Sequence, residues 1–418
     1  MEEFMKSQKP RKSPTLASAA LLALALMPSI GAAQELSDLQ SNGNLHLRGY
    51  GSFFIQGNTH TIDSATAVAG GFPGFPIPGG LSMIDQMYVQ YMLPQAQNGK
   101  KHYPIVFVHG CCLSSKSWQT TPDGRMGWDE YFVRQGFDTY LADQVSRARS
   151  GFDATKYNMV KNHALPTDAL PSILIASDQF AWNIFRWGQA PCTTSPCSNP
   201  SNATPHPDIR FPMNTVGVGA GSNLQFYNQV IPDMNGTLSD ALPQPCAAAA
   251  CTPASPDAVF NTPAQMAALA NKLGGAILVA HSESADFPTR AALQAASGCY
   301  PWTSASNCKV KGIIQLETGC HGNLTGPMIT TLSHIPIIIE YGDYAIGSPI
   351  TPSCQTEINQ ITAAGGDIKF AWLPQLTPGS LYPGSPGPIY GNEHMVMLDN
   401  NNQQIAQILI DWATSRGL

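Results

Sequence analysis

Short apolar runs bounded by turn residues recur along the chain from residue 87 onward. Ile105–Val108 is apolar throughout and ends at His109-Gly110. Thr139–Ala142 ends at Asp143, and Ala276–Ala280 runs into His281-Ser282. Met87–Leu93, Ile313–Leu316, Ile335–Glu340 and Phe370–Leu373 complete the set. Runs of this length without polar alternation predict strands buried on both faces. Helical periodicity fills the intervals, and Gln403–Trp412 predicts a last amphipathic helix. Strands separated by helices imply an α/β architecture: a mostly parallel sheet with helices on both faces.

Two regions break this rhythm. Residues 34–85 are polar and rich in Gly and Pro, with short apolar patches such as Ser52–Gln56. Residues 151–265, rich in Pro, Ser, Asn and Ala, read as a cap-like insertion over the sheet rather than an independent domain. Insertions at the carboxyl ends of parallel strands usually shape the ligand pocket. Within this one, Trp182, Phe185 and Trp187 are candidates for the pocket wall, and equally for the core.

The first 33 residues look like an export signal. Lys6, Lys9, Arg11 and Lys12 precede the apolar stretch Leu16–Met27, and Gly31-Ala32-Ala33 offers small residues for cleavage. The stretch is too short to span a bilayer, which takes about 20 residues, and no later stretch reads as membrane-spanning. A secreted or periplasmic domain over residues 34–418 is therefore expected. The leader holds those four bases plus Glu2 and Glu3, so its removal takes the net charge from −6 to −8. With no basic patch left, a nucleic-acid partner is not expected. The exposed N-terminal segment and the insertion leave a homodimer open.

Ten cysteines in an exported chain read as a disulfide set. Proximity suggests Cys192–Cys197, Cys246–Cys251 and Cys299–Cys308, leaving Cys320 and Cys354 for each other. The spacings match no zinc pattern, and neither a metal nor an organic cofactor is expected. Cys111 and Cys112 are adjacent. A bridge between neighbours would be strained and would remove little chain entropy, so stiffening a turn is a better reason for it than stability. Two separate thiols, or two bridges to distant partners, are the alternatives.

The candidate chemistry starts at the turn after Ala276–Ala280. In an α/β-hydrolase the nucleophilic serine sits on a sharp strand-to-helix turn, with small residues two before and two after it. Ala280-His281-Ser282-Glu283-Ser284 has small flanks, although both usual glycines are replaced. Ser284 competes less well, because Asp286 occupies its +2 position. Neighbouring side chains on such a turn point apart, so His281 reads as structural. In chain order this fold places serine, then acid, then histidine. His394, the last of ten histidines, lies in Gly391-Asn392-Glu393-His394-Met395 just before the final helix and suits the base. Glu317 and Asp343 compete for the acid, each following an apolar run. The backbone N–H groups of Cys111, after His109-Gly110, and of Glu283 are the candidate oxyanion donors.

Several segments together resemble bacterial α/β-hydrolase esterases that carry a vicinal disulfide beside the oxyanion hole. They are Gly51-Ser52-Phe53-Phe54, Asp85-Gln86-Met87-Tyr88-Val89, His109-Gly110-Cys111-Cys112-Leu113 and the run Thr120–Trp128. Asp143-Gln144 with Arg147 and Arg149-Ser150, Ala181-Trp182 with Ile184-Phe185-Arg186, and Gly391-Asn392 with His394-Met395 are similar too. The resemblance spans most of residues 45–415. It implies Ser282 as nucleophile, His394 as base, and Glu317 as acid one strand earlier than usual. It also implies bridges Cys111–Cys112 and Cys320–Cys354. The chain departs from the group at residues 190–260 and at Cys299–Cys308, which both look longer, so substrate identity does not transfer. The expected activity is hydrolysis of a small carboxylic ester through an acyl-enzyme. Lactone or amide cleavage on the same residues, and a catalytically silent binding protein of this fold, are the rivals.

Overall fold

The computed structural model describes residues 42–63, 67, 79–95, 102–170, 173–195, 197, 203–213, 222–234, 262–317 and 320–418. The expected export segment and the Cys246–Cys251 clip lie outside these residues.

Eight strands form the main sheet: β1 (Leu47–Ile55), β4 (Met87–Pro94), β5 (Ile105–Val108), β6 (Thr139–Ala142), β9 (Ala276–His281), β10 (Val310–Leu316), β11 (Ile337–Tyr341) and β12 (Ile368–Trp372), in the order β1-β4-β6-β5-β9-β10-β11-β12. Every pairing from β6 to β12 is parallel, whereas β4 runs antiparallel to both β1 and β6. Small antiparallel pairs join β2 (Asn58–Ile62) to β3 (Gly80–Ile84) and β7 (Ile173–Leu174) to β8 (Asp233–Met234).

The apolar runs become strands because they are covered on both sides. All residues of β5, β6 and β9 are buried. Alternation along β5 splits its side chains between two cores. Ile105 and Phe107 join Trp118, Trp128, Phe132 and Trp412 on one face, while Val106 and Val108 join Met266, Leu269 and Phe287 on the other. Helices α1 (Trp128–Arg134) and α9 (Asn402–Thr414) cover the first face. Ile405, Leu409 and Trp412 form the inward stripe of α9 at helical spacing. Helices α5 (Thr262–Lys272) and α6 (Phe287–Ala292) cover the second, with α7 (Gly326–Leu332) and α8 (Pro352–Ala363) flanking β11 and β12. Between β6 and α5 the described residues hold short elements only: α2 (Thr155–Lys161), β7, α3 (Asp178–Ile184), α4 (Ser222–Tyr227) and β8. None of them joins the main sheet.

Three disulfides are present among the described residues: Cys192–Cys197, Cys299–Cys308 and Cys320–Cys354. Near the last of these, Glu357 of α8 is fully buried. Its Oε2 accepts from the Gly322 N–H at 3.1 Å, but its Oε1 has no partner. Burial pushes this carboxyl up to about 7. A carboxyl raised in the folded state contributes its stability below the unfolded pKa and loses it as pH climbs through the folded one. Glu357→Gln mimics the protonated form. The variant should match the wild type at pH 4 and exceed it at pH 8, by roughly 3 kcal/mol if the whole shift is realised. Denaturant midpoints at the two pH values check this, and parallel curves would contradict it.

Candidate active site

The chain leaves β5 toward β6 on one side of the sheet, while β9 lies on the other. A crevice outside the carboxyl ends of the strands is expected at such a switch point. Three turns converge there: His109-Gly110-Cys111 after β5, Ser282 after β9 and Glu317 after β10.

Ser282 is half-buried at φ 58, in the left-handed region that a residue with a Cβ enters only at a cost of order 1 kcal/mol. The sharp turn therefore forms without either flanking glycine. Ala280 and Ser284 stand in their places, both fully buried. Ser284 Oγ lies 2.9 Å from the His109 carbonyl and 3.0 Å from that of His281, so this hydroxyl staples the turn to the one after β5. Glycine is required at 110, where a Cβ would stand 2.8 Å from both the His281 carbonyl oxygen and Ser282 Cβ.

Ser282 Oγ lies 2.8 Å from His394 Nε2, and His394 Nδ1 lies 3.1 Å from Glu317 Oε2. An ionised carboxylate only accepts, so Nδ1 carries the imidazole proton and Nε2 is left to accept from the serine hydroxyl. Glu317 is fully buried, with Oε1 accepting from the Gly342 N–H at 2.5 Å and Oε2 from Arg186 Nη2 at 2.8 Å. Burial would raise the Glu317 carboxyl, but the Arg186 charge and the His394 bond outweigh it and hold it well below the usual carboxylate range. Burial also holds the His394 imidazole below its ordinary value, against the pull of Glu317. A neutral histidine between a hydroxyl and an ionised acid can take a proton from the serine and hold the resulting cation.

Asp343 does not touch this histidine. Its Oδ2 accepts from the Gly391 N–H at 3.1 Å and its N–H bonds the Asn392 carbonyl, which braces the loop carrying His394. Arg125 anchors that loop from the other side through the Asp399 and Leu398 carbonyls at 2.7 and 2.8 Å. His281 Nε2 lies 2.8 Å from the His394 carbonyl. Burial first, and then the neighbouring His394, hold His281 down at about 3, so it is a neutral donor in the frame.

The turns carrying the two candidate oxyanion N–H groups are tied by Arg147, which in the sequence belongs to a resembling segment but has no assigned role. Arg147 makes a buried bidentate pair with the Glu283 carboxylate, both bonds 2.8 Å, and its Nη1 lies 3.5 Å from the Gly110 carbonyl. Cys111 and Cys112 stand side by side on the first turn, with Cys112 buried at φ 60. The structure records their adjacency without a bridge between them. Neighbouring Cα atoms lie about 3.8 Å apart, short of the 4.4–6.8 Å that disulfides ordinarily span.

Of the aromatic candidates, Phe185 lies against the site, its ring stacked on the His394 imidazole at 5.2 Å and 7°. Trp182 and Trp187 have no exposed surface and belong to the aromatic core. Trp187 stacks on Phe211 at 4.5 Å and donates its indole N–H to Glu393 Oε2 at 2.9 Å. No group of metal-ligating side chains occurs among the described residues.

No family model matches the chain. A curated protein named "Probable secreted lipase phiG", from a fungus (Fungal sp., strain ATCC 74256), is 45% identical over 64 residues, 15% of this chain and 17% of that protein. The chain thus spans about a sixth of the length of this curated relative. A solved structure described as a novel bacterial esterase is 31% identical, with a TM-score of 0.67 over 90% of this chain and 98% of the other. The chain belongs to the family of that bacterial esterase, a family of carboxylic ester hydrolases with the α/β-hydrolase fold.

Proposed function

We propose that the protein is a serine hydrolase that cleaves small carboxylic esters through an acyl-enzyme on Ser282. One observation carries most of the weight: the unbroken chain from Ser282 Oγ through His394 to Glu317, with links of 2.8 and 3.1 Å. Ser282 Oγ attacks the ester carbonyl as His394 Nε2 takes its proton. The tetrahedral oxyanion is held by the N–H groups of Cys111 and Glu283, in turns bound together by Arg147. Losing one such donor typically costs about 2.7–4 kcal/mol of transition-state stabilisation. Collapse expels the alcohol, which receives its proton from His394. A water, deprotonated by the same nitrogen, then attacks the acyl-enzyme, and the acid product leaves with Ser282 restored. Glu317 keeps the imidazole in the required tautomer and stabilises its cation throughout.

The same proposal assigns the protein to an oxidising compartment outside the cytoplasm. Three disulfides among the described residues support this, and no helix among those residues is long and apolar enough to cross a membrane. A Cys111–Cys112 bridge formed after export would stiffen the turn that presents the first oxyanion donor.

The test is covalent labelling of the full-length protein by a fluorophosphonate, followed by a panel of activated esters, lactones and amides. Stoichiometric labelling at Ser282 with turnover of esters above the other substrates is expected. A wild-type protein that stays unlabelled would leave the silent binding protein as the answer. Preference for lactones or amides would move the substrate class while keeping the residues.

A further inference from the structure

Arg186 occupies an unusual place. It follows Phe185, the residue that ends α3, and takes φ 61, a left-handed conformation for a residue with a long side chain. The backbone cost is of order 1 kcal/mol, so the conformation persists because the surroundings impose it. From there its guanidinium touches three parts of the site. Nη2 donates to Glu317 Oε2 at 2.8 Å, Nε donates to the Asp343 carbonyl at 2.9 Å, and Nη1 stands 3.4 Å from His394 Nδ1. The guanidinium carbon lies 5.0 Å from the centre of the Tyr341 ring.

Glu317 is also not alone. Glu340 at the end of β11, with Glu393 and Asp399 in the loop that carries His394, are fully buried carboxyl groups that act on it or on each other electrostatically. Both oxygens of Glu340, Oε1 of Glu393 and Oδ1 of Asp399 lack hydrogen-bond partners. Like charges crowded in a buried place cannot all ionise. Among these four groups only Glu317 has an arginine paired directly to its carboxylate.

We propose that Arg186 is a positioning residue of the triad, which selects Glu317 as the ionised carboxylate of this buried acid cluster and aims its Oε2 at His394. This inference rests on the triad proposed above. It makes the segment just past α3 part of the catalytic frame, with Phe185 stacked on the imidazole and Arg186 fastened to the acid behind it.

The guanidinium also sets the pH at which the base becomes usable. His394 is faced by Glu317 from β10, His281 from β9, Arg186 from the end of α3, and Glu393 in its own loop. Glu340 and Tyr341 of β11 and Asp399 lie around the acid. Adding a proton to the Glu317–His394 pair brings a positive charge beside Arg186. Without that cation the pair binds the proton more readily, whichever atom holds it. The acid limb of activity must then move to higher pH.

The experiment measures the second-order rate of fluorophosphonate labelling, and kcat and KM for an activated ester, from pH 4 to 9 in three proteins. These are the wild type, Arg186→Met and Arg186→Lys. For Arg186→Met we expect kcat to fall by 10-fold or more with KM within about 3-fold, and the acid limb to rise by about one pH unit. Arg186→Lys keeps the charge without the planar fork. It should hold the acid limb near the wild-type position and lose only part of kcat, which also keeps the test decisive if the Met variant does not fold. An acid limb and kcat unchanged in Arg186→Met, or one displaced equally by Arg186→Lys, would overturn the proposal. So would a loss confined to KM, which would make Arg186 a substrate contact. An unlabelled wild type would instead strike at the triad itself, so the two failures are distinguishable.

Discussion

Replacing Ser282 with alanine is expected to lower kcat by about a million-fold with little change in KM, the scale seen when a nucleophile is removed from a working triad. That corresponds to roughly 8 kcal/mol of lost transition-state stabilisation. The variant keeps the turn, because alanine meets the same steric demands at φ 58 as serine does. What it loses is the hydroxyl 2.8 Å from His394 Nε2. Ester binding should persist, since both turns that carry the proposed oxyanion donors are untouched. The backbone gives a second check. Ser282→Gly relieves the left-handed strain, so it should unfold at higher denaturant than Ser282→Ala, by about 1 kcal/mol. A Ser282→Ala protein that retains more than a thousandth of the wild-type rate would mean that another group attacks the substrate.

Glu317→Gln and Asp343→Asn should separate by orders of magnitude. Changing the triad acid to its amide favours the wrong imidazole tautomer and lowers kcat by about 10⁴. Here the amide also leaves Arg186 without its anion in a buried place, so a stability loss of roughly 3 kcal/mol is expected alongside. Asp343 behaves differently. Its carboxylate receives the Gly391 N–H, and an asparagine oxygen can accept the same bond. Its kcat should stay within about 10-fold of the wild type, the cost of one weakened bond. Comparing kcat for the two variants on one activated ester, with their denaturant midpoints, decides the matter. Equal losses would remove Glu317 from its assigned role.

The legible parts of the sequence were those where a residue's surroundings impose one simple demand. Burial on both faces demands apolar side chains without alternation, so β5, β6 and β9 stand out as runs. Ends were less sharp: the run Ile335–Glu340 became a strand from Ile337 to Tyr341. Of β1 the sequence shows only a short apolar patch, Ser52–Gln56, within an otherwise polar and Gly-rich stretch. Its inward positions include Gly49 and Gly51, and its outward positions include exposed Tyr50 and Phe54, so the usual polarity pattern is blurred. Gly51 is small because Tyr91 packs over it, where a Cβ would stand 2.6 Å from the phenol oxygen. The hairpin of β2 and β3 lay hidden in the same Gly- and Pro-rich stretch.

At the candidate site, the residues proposed to do chemistry are more legible in the sequence than the residues that hold them. Ser282, Glu317 and His394 each end an apolar run or precede the last helix. The weak point was the pair of missing glycines around Ser282, and the structure supplies the reason they are dispensable: Ser284 uses its hydroxyl to fasten the turn. Arg147 and Arg186 fall in segments that resemble the esterase group, but nothing local in the sequence says what either side chain does. The clue was global. In a chain with only 12% charged residues, an arginine inside an apolar stretch such as Ile184-Phe185-Arg186-Trp187 needs a buried anion.

The contacts of Phe185 with His394 and of Arg186 with Glu317, the proposed base and acid, decide where this enzyme can be rebuilt. Trp182, Phe185 and Trp187 are buried in the aromatic core, Phe185 stacks on His394, Arg186 bonds Glu317, and Trp187 bonds the residue before His394. A chimera with a relative should keep Trp182–Trp187 with the sheet and splice downstream of it. Exchanging the whole of residues 151–265 as a cassette would set foreign side chains against the proposed base and acid.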